Sequence, residues 1–349
     1  MAGRDDIERL DRELIELISR RSEEYIRNLK SRKEGDTFDA EDRSRLNALI
    51  EECNHGPLPH ELIKKMYNDI RSGSMSAVAP VTVAFLGPEG TFTAIAVREL
   101  FGETIAPLPQ RTIQEVFQQV EADAARYGVV PIENSTEGSV TYTLDELVET
   151  SLVILSEKFV RVSYNLLSRD REMSSIKKIY THPQTIGQCK GWIRANLPNA
   201  EVINVDSTSR AAELASGEEG AAAISSGLAA EIYGLNTLAT MLEDSRQNYT
   251  RFFLLGKKSG RATGNDKTSI VCAVKDRPGA LLKLLKPFSD ADINMTKIES
   301  RPDKKKIWEY NFYIDFMGHT DDAVVRKALD RIKRETLFLK ILGSYPVGT

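Results

Sequence analysis

The feature that most constrains this chain is that its hydrophobic period changes twice. Apolar residues recur at spacings of 3 and 4 up to residue 76, and short apolar runs alternate with helical stretches from Val81. From residue 268 the pattern becomes strand, helix, strand, strand, helix, strand. No single core satisfies all three patterns. At roughly 100 to 200 residues per domain, a chain of 349 residues has the length for separate units.

In the first segment Ile7, Leu10, Leu14 and Leu17 define one face of a long amphipathic helix, extended by Ile18, Tyr25, Ile26 and Leu29. Further helices are expected at about 40–53 and 61–72, on either side of the Gly/Pro-punctuated stretch Asn54 to Pro59. Three helices with so few apolar residues need a partner. The heptad step from Ile7 through Leu14 falls next on Arg21, which reads as a solvated flank or as a ligand site. Ser72 to Pro80 reads as a linker.

Apolar runs at 81–86, 127–132, 152–155, 176–180, 201–205, 221–224 and 252–255 predict βαβ crossovers and a mainly parallel sheet. With an antiparallel stretch at 159–167, about 180 residues of this pattern allow two α/β lobes and a ligand cleft at strand ends. Lys257 to Lys267 is a polar linker. Beyond it, Leu281, Leu284, Leu285 and Phe288 repeat at helical spacing. Trp308, Tyr310, Phe312, Ile314 and Phe316 alternate as a strand, and Val325, Ala328, Leu329 and Ile332 return to helical spacing. This is the pattern of a ferredoxin-like α+β domain.

Charge and composition exclude some partners. Forty-seven Lys and Arg against 51 Asp and Glu give a net charge of −4, with no basic field for nucleic acid. No stretch approaches the roughly 20 apolar residues that cross a bilayer. Met1 to Arg12 lacks the apolar core of a secretory signal, and Cys53, Cys189 and Cys272 are far apart. The expectation is a cytoplasmic, reduced protein without a disulfide framework or a cysteine metal site.

Several loops carry chemistry. Gly87-Pro-Glu-Gly-Thr-Phe-Thr93 leads from a strand into a helix and reads as a capped turn or an anion site at Thr91. Pro131-Ile-Glu-Asn-Ser135 gathers Glu133, Asn134 and Ser135 after a strand, as a polar-ligand loop or a capping loop. Thr181-His182-Pro-Gln ends another strand, with Gln188 and Cys189 further along the helix. His182 reads as a structural histidine or as a base. Asn248-Tyr-Thr-Arg-Phe252 places Thr250 and Arg251 at a strand entrance. GxSxG, HExxH and GxGxxG are absent.

Taken in order, these motifs resemble the bifunctional chorismate mutase/prephenate dehydratase family over essentially the whole chain. Pro278-Gly279-Ala280-Leu281 and Glu299-Ser300-Arg301-Pro302 resemble the two phenylalanine-binding motifs of the ACT domain. The resemblance implies mutase-like all-α helices at 1–76, a two-lobed α/β dehydratase like a periplasmic binding protein at 81–258, and a ferredoxin-like ACT domain at 266–349. It implies conversion of prephenate to phenylpyruvate, carbon dioxide and water without a metal or redox cofactor, with phenylalanine as effector and a homodimer or higher oligomer.

By the same resemblance Thr250 donates toward the leaving hydroxyl, with Glu133, Asn134 and Gln188 as its relay. Thr91, Ser135, Thr181, His182 and Arg251 are placed around substrate, Arg251 reading also as a structural ion pair. Gly279, Ala280, Leu281, Asn294, Glu299, Ser300 and Arg301 are placed around the effector, in a site between two subunits. For chorismate the implied residues are Arg4, Arg21, Arg32, Arg43 and Ser74.

The mutase pattern is uneven. Arg32 stands where the family has Lys, Ser44 where it has Glu, and Val78 where a Gln or Glu meets the reacting ether oxygen. Loss of that electrostatic partner predicts weak or absent mutase turnover. The rival readings are a fully bifunctional enzyme, an arogenate dehydratase, and a non-catalytic amino-acid sensor.

Overall fold

The computed structural model describes residues 2–31, 40–275, 277–303 and 310–348. The amphipathic N-terminal pattern forms α1 (Ala2–Ser31), followed by α2 (Ala40–Cys53) and α3 (His60–Ser76). Pairs such as Arg9–Glu13 (3.0 Å) lie along the solvated side of α1 at i,i+4 spacing. Leu29, near its C-terminal end, is buried against Met75, Val81, Phe101 and Tyr127. At the other end Ile7, Leu10, Leu14 and Leu17 remain 51–61% exposed, a stripe that this chain does not cover. Helix α3 runs past the predicted linker start to Ser76, where Ser72 Oγ lies 2.6 Å from Thr104 Oγ1 and ties the helix to the next domain.

The alternating segment folds as two lobes. The first contains β1 (Thr82–Leu86), α4 (Phe92–Phe101), β2 (Ala106–Gln110), α5 (Ile113–Glu121), β3 (Tyr127–Asn134), β4 (Gly138–Ser139), α6 (Thr141–Glu149) and β5 (Val153–Arg161). The second contains β6 (Asn165–Ser168), β7 (Lys178–Thr181), α7 (Pro183–Asn196), β8 (Glu201–Asn204), α8 (Thr208–Gly217), β9 (Ala221–Ser225), α9 (Gly227–Tyr233) and β10 (Asn236–Ala239). The chain then returns to the first lobe as β11 (Tyr249–Gly256). The sheet orders are β2-β1-β3-β11-β5, with β4 on β3, and β10-β6-β9-β7-β8.

The predicted antiparallel stretch 159–167 is the end of β5, the crossing to the second lobe, and the start of β6. The outgoing and returning crossings hold each other, Val162 N–H donating to Asn248 O (2.8 Å) and Leu242 N–H to Tyr164 O (3.0 Å). Strand β2 escapes the periodicity because Pro107 and Pro109 interrupt it. Proline lacks the ladder donor and is tolerated at a sheet edge, where β2 lies.

The last segment forms β12 (Asp266–Ala273), α10 (Ala280–Asp290), β13 (Met295–Pro302), β14 (Tyr310–Met317), α11 (Ala323–Glu335) and β15 (Phe338–Pro346), in sheet order β13-β14-β12-β15. Trp308, the first residue of the predicted alternating run, lies outside the described residues. One face of this sheet packs Ile270, Cys272, Ile314 and Phe316 with Leu284, Phe288 and Ile332 of the helices. The other face places Val271, Tyr313, Leu342 and Tyr345 in the core of the first lobe. The approach is close enough that a Cβ on Gly343 would lie 2.3 Å from Ile154 O. Lys340 donates to the carbonyls of Leu147 (2.8 Å), Val148 (2.9 Å) and Thr150, closing the C-terminus of α6. Among the described residues no helix is long and apolar enough to cross a membrane.

Candidate active site

Two neighbouring strands organise the site. The register of β3 and β11 sets Asn134 opposite Thr250 and Glu133 opposite Arg251. Successive side chains on a strand point to opposite faces, so one pair meets the cleft between the lobes and the other meets the C-terminal sheet.

On the cleft side the hydrogen bonds fix their own polarity. The N–H groups of Thr136 (2.9 Å) and Glu137 (3.1 Å) donate to Asn134 Oδ1, which turns Nδ2 toward Thr250 Oγ1 (2.9 Å) and Asn248 Oδ1 (2.9 Å). Asn248, 2% exposed, donates through Nδ2 to Gln188 Oε1 (2.8 Å), and Gln188 Nε2 donates to Glu137 Oε1 (3.2 Å). Thr250 Oγ1 therefore accepts from an amide, while its own O–H finds no acceptor among the described residues. Accepting one hydrogen bond polarises a hydroxyl as a donor. Glu137 and Asn248 were not among the residues assigned from sequence. The Asn248 amide was visible before a strand, but nothing local says that it spans the gap between lobes.

Other predicted residues shape this cleft indirectly. Ser135 Oγ donates to Gln247 O (3.1 Å) and accepts from Tyr249 N–H (3.0 Å), clipping the loop to β11. Thr91 caps α4, accepting from Ala94 N–H and donating to Leu86 O, each at 3.3 Å. His182 caps α7 by accepting Gln184 N–H at Nδ1 (3.3 Å), which assigns the proton of a neutral ring to Nε2. Thr181 differs from expectation. It is fully buried and donates to Ile224 O (3.3 Å), held inside the second sheet rather than on a cleft wall. Tyr164, at the crossing between lobes, stacks edge-on against Phe92 with centroids 5.5 Å apart. Burial pushes its phenol up to about 12, opposed by Thr185 and reinforced by Cys189, Glu137 and Glu243.

Glu133 corrects the sequence reading and Arg251 follows the structural ion-pair alternative, because both are on the far face. Glu133 Oε2 pairs with Lys297 Nζ (2.8 Å), and Arg251 with Glu157 and Asp315 (each 2.6 Å), lying 3.9 Å from Glu133. Burial alone would lower the Arg251 pKa. Tyr345, Asp315 and Glu157 outweigh it and hold the guanidinium above the ordinary arginine value. All three guanidinium nitrogens are engaged, which leaves none for a substrate carboxylate.

The predicted effector residues divide by face. Asn294 and Ser300 are exposed, and Gly279 starts α10 with φ +79°. Leu281 is exposed and Ala280 lies at the edge of the core. Glu299 and Arg301 turn instead to the first lobe, Glu299 accepting from Ser139 Oγ (3.1 Å) and Arg301 gripping Asp145 through two bonds of 2.5 and 2.7 Å. Strand β13 runs parallel to β12, so Gly279 shares a sheet end with Ser300, and Asn294 lies about 20 Å away at ~3.3 Å per residue.

The residues assigned to chorismate are dispersed. Arg4 is exposed and Arg32 lies outside the described residues. Arg21 stacks over Tyr67 (5.2 Å) and Tyr25 (5.7 Å), with a buried Nη1 that has no hydrogen-bond partner among the described residues. Arg43 departs from expectation by donating to Leu100 O (3.1 Å) and Glu99 O (3.0 Å) at the end of α4. Burial and the nearby Arg71 push it down to about 9 against the pull of Glu99. Ser74 is buried and bonds Ile70 O within its own helix (2.8 Å), and Val78 packs against the apolar cluster around Val81. Among the described residues no three His, Cys, Asp or Glu side chains converge to hold a metal ion.

Comparison with known proteins adds independent information. Residues 83–260 match the family model for prephenate dehydratase, and 268–334 that for the ACT domain. The bifunctional chorismate mutase/prephenate dehydratase of Aquifex aeolicus is 42% identical over 98% of this chain and 96% of its own. The structure of an Arthrobacter aurescens prephenate dehydratase in complex with L-Phe superposes with TM-score 0.71 at 36% identity, covering 76% of this chain and 90% of that one. A protein described as a novel quorum-quenching acylase, GqqA, superposes with TM-score 0.70 at 29% identity, covering 76% and 98%.

Proposed function

The chain belongs to the bifunctional chorismate mutase/prephenate dehydratase family, and on that premise we propose that it converts prephenate to phenylpyruvate under feedback by phenylalanine. The observation that carries this reading is the amide chain Asn134, Asn248, Gln188, which polarises the Thr250 hydroxyl across the junction of the lobes.

The chemistry asks for little more. As the ring carboxylate departs as carbon dioxide, the electrons of its C–C bond enter the ring. The ring C–O bond breaks, its electrons leaving with the hydroxyl, which collects a proton and departs as water. Thr250 supplies that proton and regains one from solvent. An alcohol is a weak acid, so its use depends on alignment and on the amide that polarises it. An acylase would require the reverse polarity, with a base taking the hydroxyl proton. The Asn134 amide donates into Thr250 Oγ1 and cannot serve as that base.

We place the mutase-like, dehydratase and regulatory units at 1–76, 81–258 and 266–349. Phenylalanine is assigned to the exposed face of β13 and the start of α10. The separation of Asn294 from Gly279 supports a site completed by a second copy. The uncovered stripe Ile7, Leu10, Leu14, Leu17 supports a dimer through α1. Arg21, with its unpartnered Nη1, remains the strongest anion ligand of the N-terminal helices, and the apolar Val78 supports weak mutase turnover.

The test is phenylpyruvate formation by the purified chain from prephenate, arogenate being assayed alongside, with and without phenylalanine. Turnover of prephenate, reduced by phenylalanine, is expected. Absence of product from prephenate would reject the reading.

A further inference from the structure

Two pairs of opposite charges face each other across the boundary between the first lobe and the C-terminal sheet. On the lobe Glu133 is the register partner of Arg251, and on the C-terminal sheet Lys297 is the register partner of Asp315. Each pair closes on the other, Glu133 to Lys297 at 2.8 Å and Arg251 to Asp315 at 2.6 Å. The residues immediately following and preceding the lobe pair are Asn134 and Thr250, which occupy the cleft face of the same two strands.

The position of Lys297 is specific. A register shift between Met295 and Lys297 turns its side chain to the lobe, whereas Met295 packs among the apolar residues beneath the helices. The Lys297 ammonium also donates to Ser139 Oγ (2.9 Å), and that hydroxyl donates to Glu299 (3.1 Å). Glu133 and Ser139 are paired across β3 and β4 and bracket the loop that carries Asn134. One ammonium, 12% exposed at its side chain, therefore pins both ends of the loop that orients the donor to Thr250. On the opposite face of β13 stand Ile298 and Ser300, opposite Ile314 and Phe312 of the helix-covered side.

We propose that Lys297 is a positioning residue of the dehydratase site, contributed by the regulatory domain, and that it transmits effector occupancy to Thr250. It touches no reacting atom; it fixes Glu133 and Ser139, and through them Asn134. A small movement of β13 toward an amino acid bound on its outer face withdraws the ammonium and loosens the loop. The inference rests on the proposed function and names the contact by which its regulation acts.

The experiment compares wild type, Lys297→Met, Lys297→Arg and Ser139→Ala as full-length proteins. The readouts are kcat and KM for prephenate, phenylalanine binding by calorimetry, and the ratio of rates without and with saturating phenylalanine. For Lys297→Met we expect kcat to fall about tenfold with KM within twofold, phenylalanine still bound, and the rate ratio collapsing toward one. Lys297→Arg, which keeps the charge, restores at least half of both properties. Ser139→Ala, which removes no charge and little volume, shifts kcat and the ratio in the same direction and decides the matter if Lys297→Met does not fold.

Wild-type kcat together with a wild-type ratio in both Lys297→Met and Ser139→Ala, or in a folding Ser139→Ala alone, would overturn the proposal. So would equal losses in Lys297→Arg and Lys297→Met. A wild-type protein that forms no phenylpyruvate would overturn the functional reading beneath it, an outcome distinct from active but unaltered variants.

Discussion

In the proposed reaction a single hydroxyl carries most of the chemical weight. Thr250 Oγ1 receives the Asn134 amide at 2.9 Å, and its own O–H has no acceptor among the described residues. Thr250→Ala should lower kcat by about 100- to 10,000-fold, the range typical of losing a positioned acid. Thr250→Ser should retain activity within roughly tenfold, and KM for prephenate should barely move in either. Continuous phenylpyruvate absorbance measures all three quantities, and an alanine variant with wild-type kcat would remove Thr250 from the chemistry. Thr250, Asn134 and Gln188 could be singled out because each is a polar residue within a motif of recognisable order, the first two at strand ends and Gln188 in the second turn of α7. Glu133 was read into the relay and Arg251 left between substrate and ion pair for a definite reason. Sequence places a residue on a strand, but which face meets substrate depends on the partner against which the sheet is docked.

At the scale of elements, docking of the regulatory sheet is set by features with weak sequence signals. Gly343 reads as an ordinary strand glycine, yet its missing side chain lets β15 approach the backbone of β5. Gly343→Ala would press a methyl into Ile154 O and N, at 2.3 and 2.8 Å before relaxation. Backbone atoms yield less readily than a flexible side chain, so the substitution should cost about 1–3 kcal/mol. Calorimetric unfolding should register it as a midpoint several degrees lower, and an unchanged midpoint would mean that the two strands separate freely. The strong periodicities of α10 and α11 were legible because amphipathic spacing extends over two or more turns. β4, β10 and β2 were not, because β4 is only Gly138-Ser139, β10 opens on Asn236 and Thr237 with no apolar run, and prolines interrupt β2.

For the whole molecule, three hydrophobic periods became three units, but those units are welded rather than strung together. Leu29 and Met75 enter a cluster with residues of the first lobe, and Val271, Tyr313, Leu342 and Tyr345 enter another. The predicted linkers at 72–80 and 257–267 are accordingly shortened, with α3 reaching Ser76 and β12 beginning at Asp266. What this single chain leaves open is the N-terminal half of α1. If a second copy covers it, Leu14→Glu buries a charge twice in a twofold interface. At about 3 kcal/mol this raises the dimer dissociation constant roughly 100-fold. Sedimentation equilibrium would measure that change, and an unaltered constant would mean that α1 does not form the seam. The same variant separates the two chemistries. In the proposed reaction prephenate turnover draws on Asn134, Asn248, Gln188 and Thr250 of one chain, and it should persist. Any chorismate turnover, if the proposed Arg21 site is completed by the second copy, should vanish with the seam.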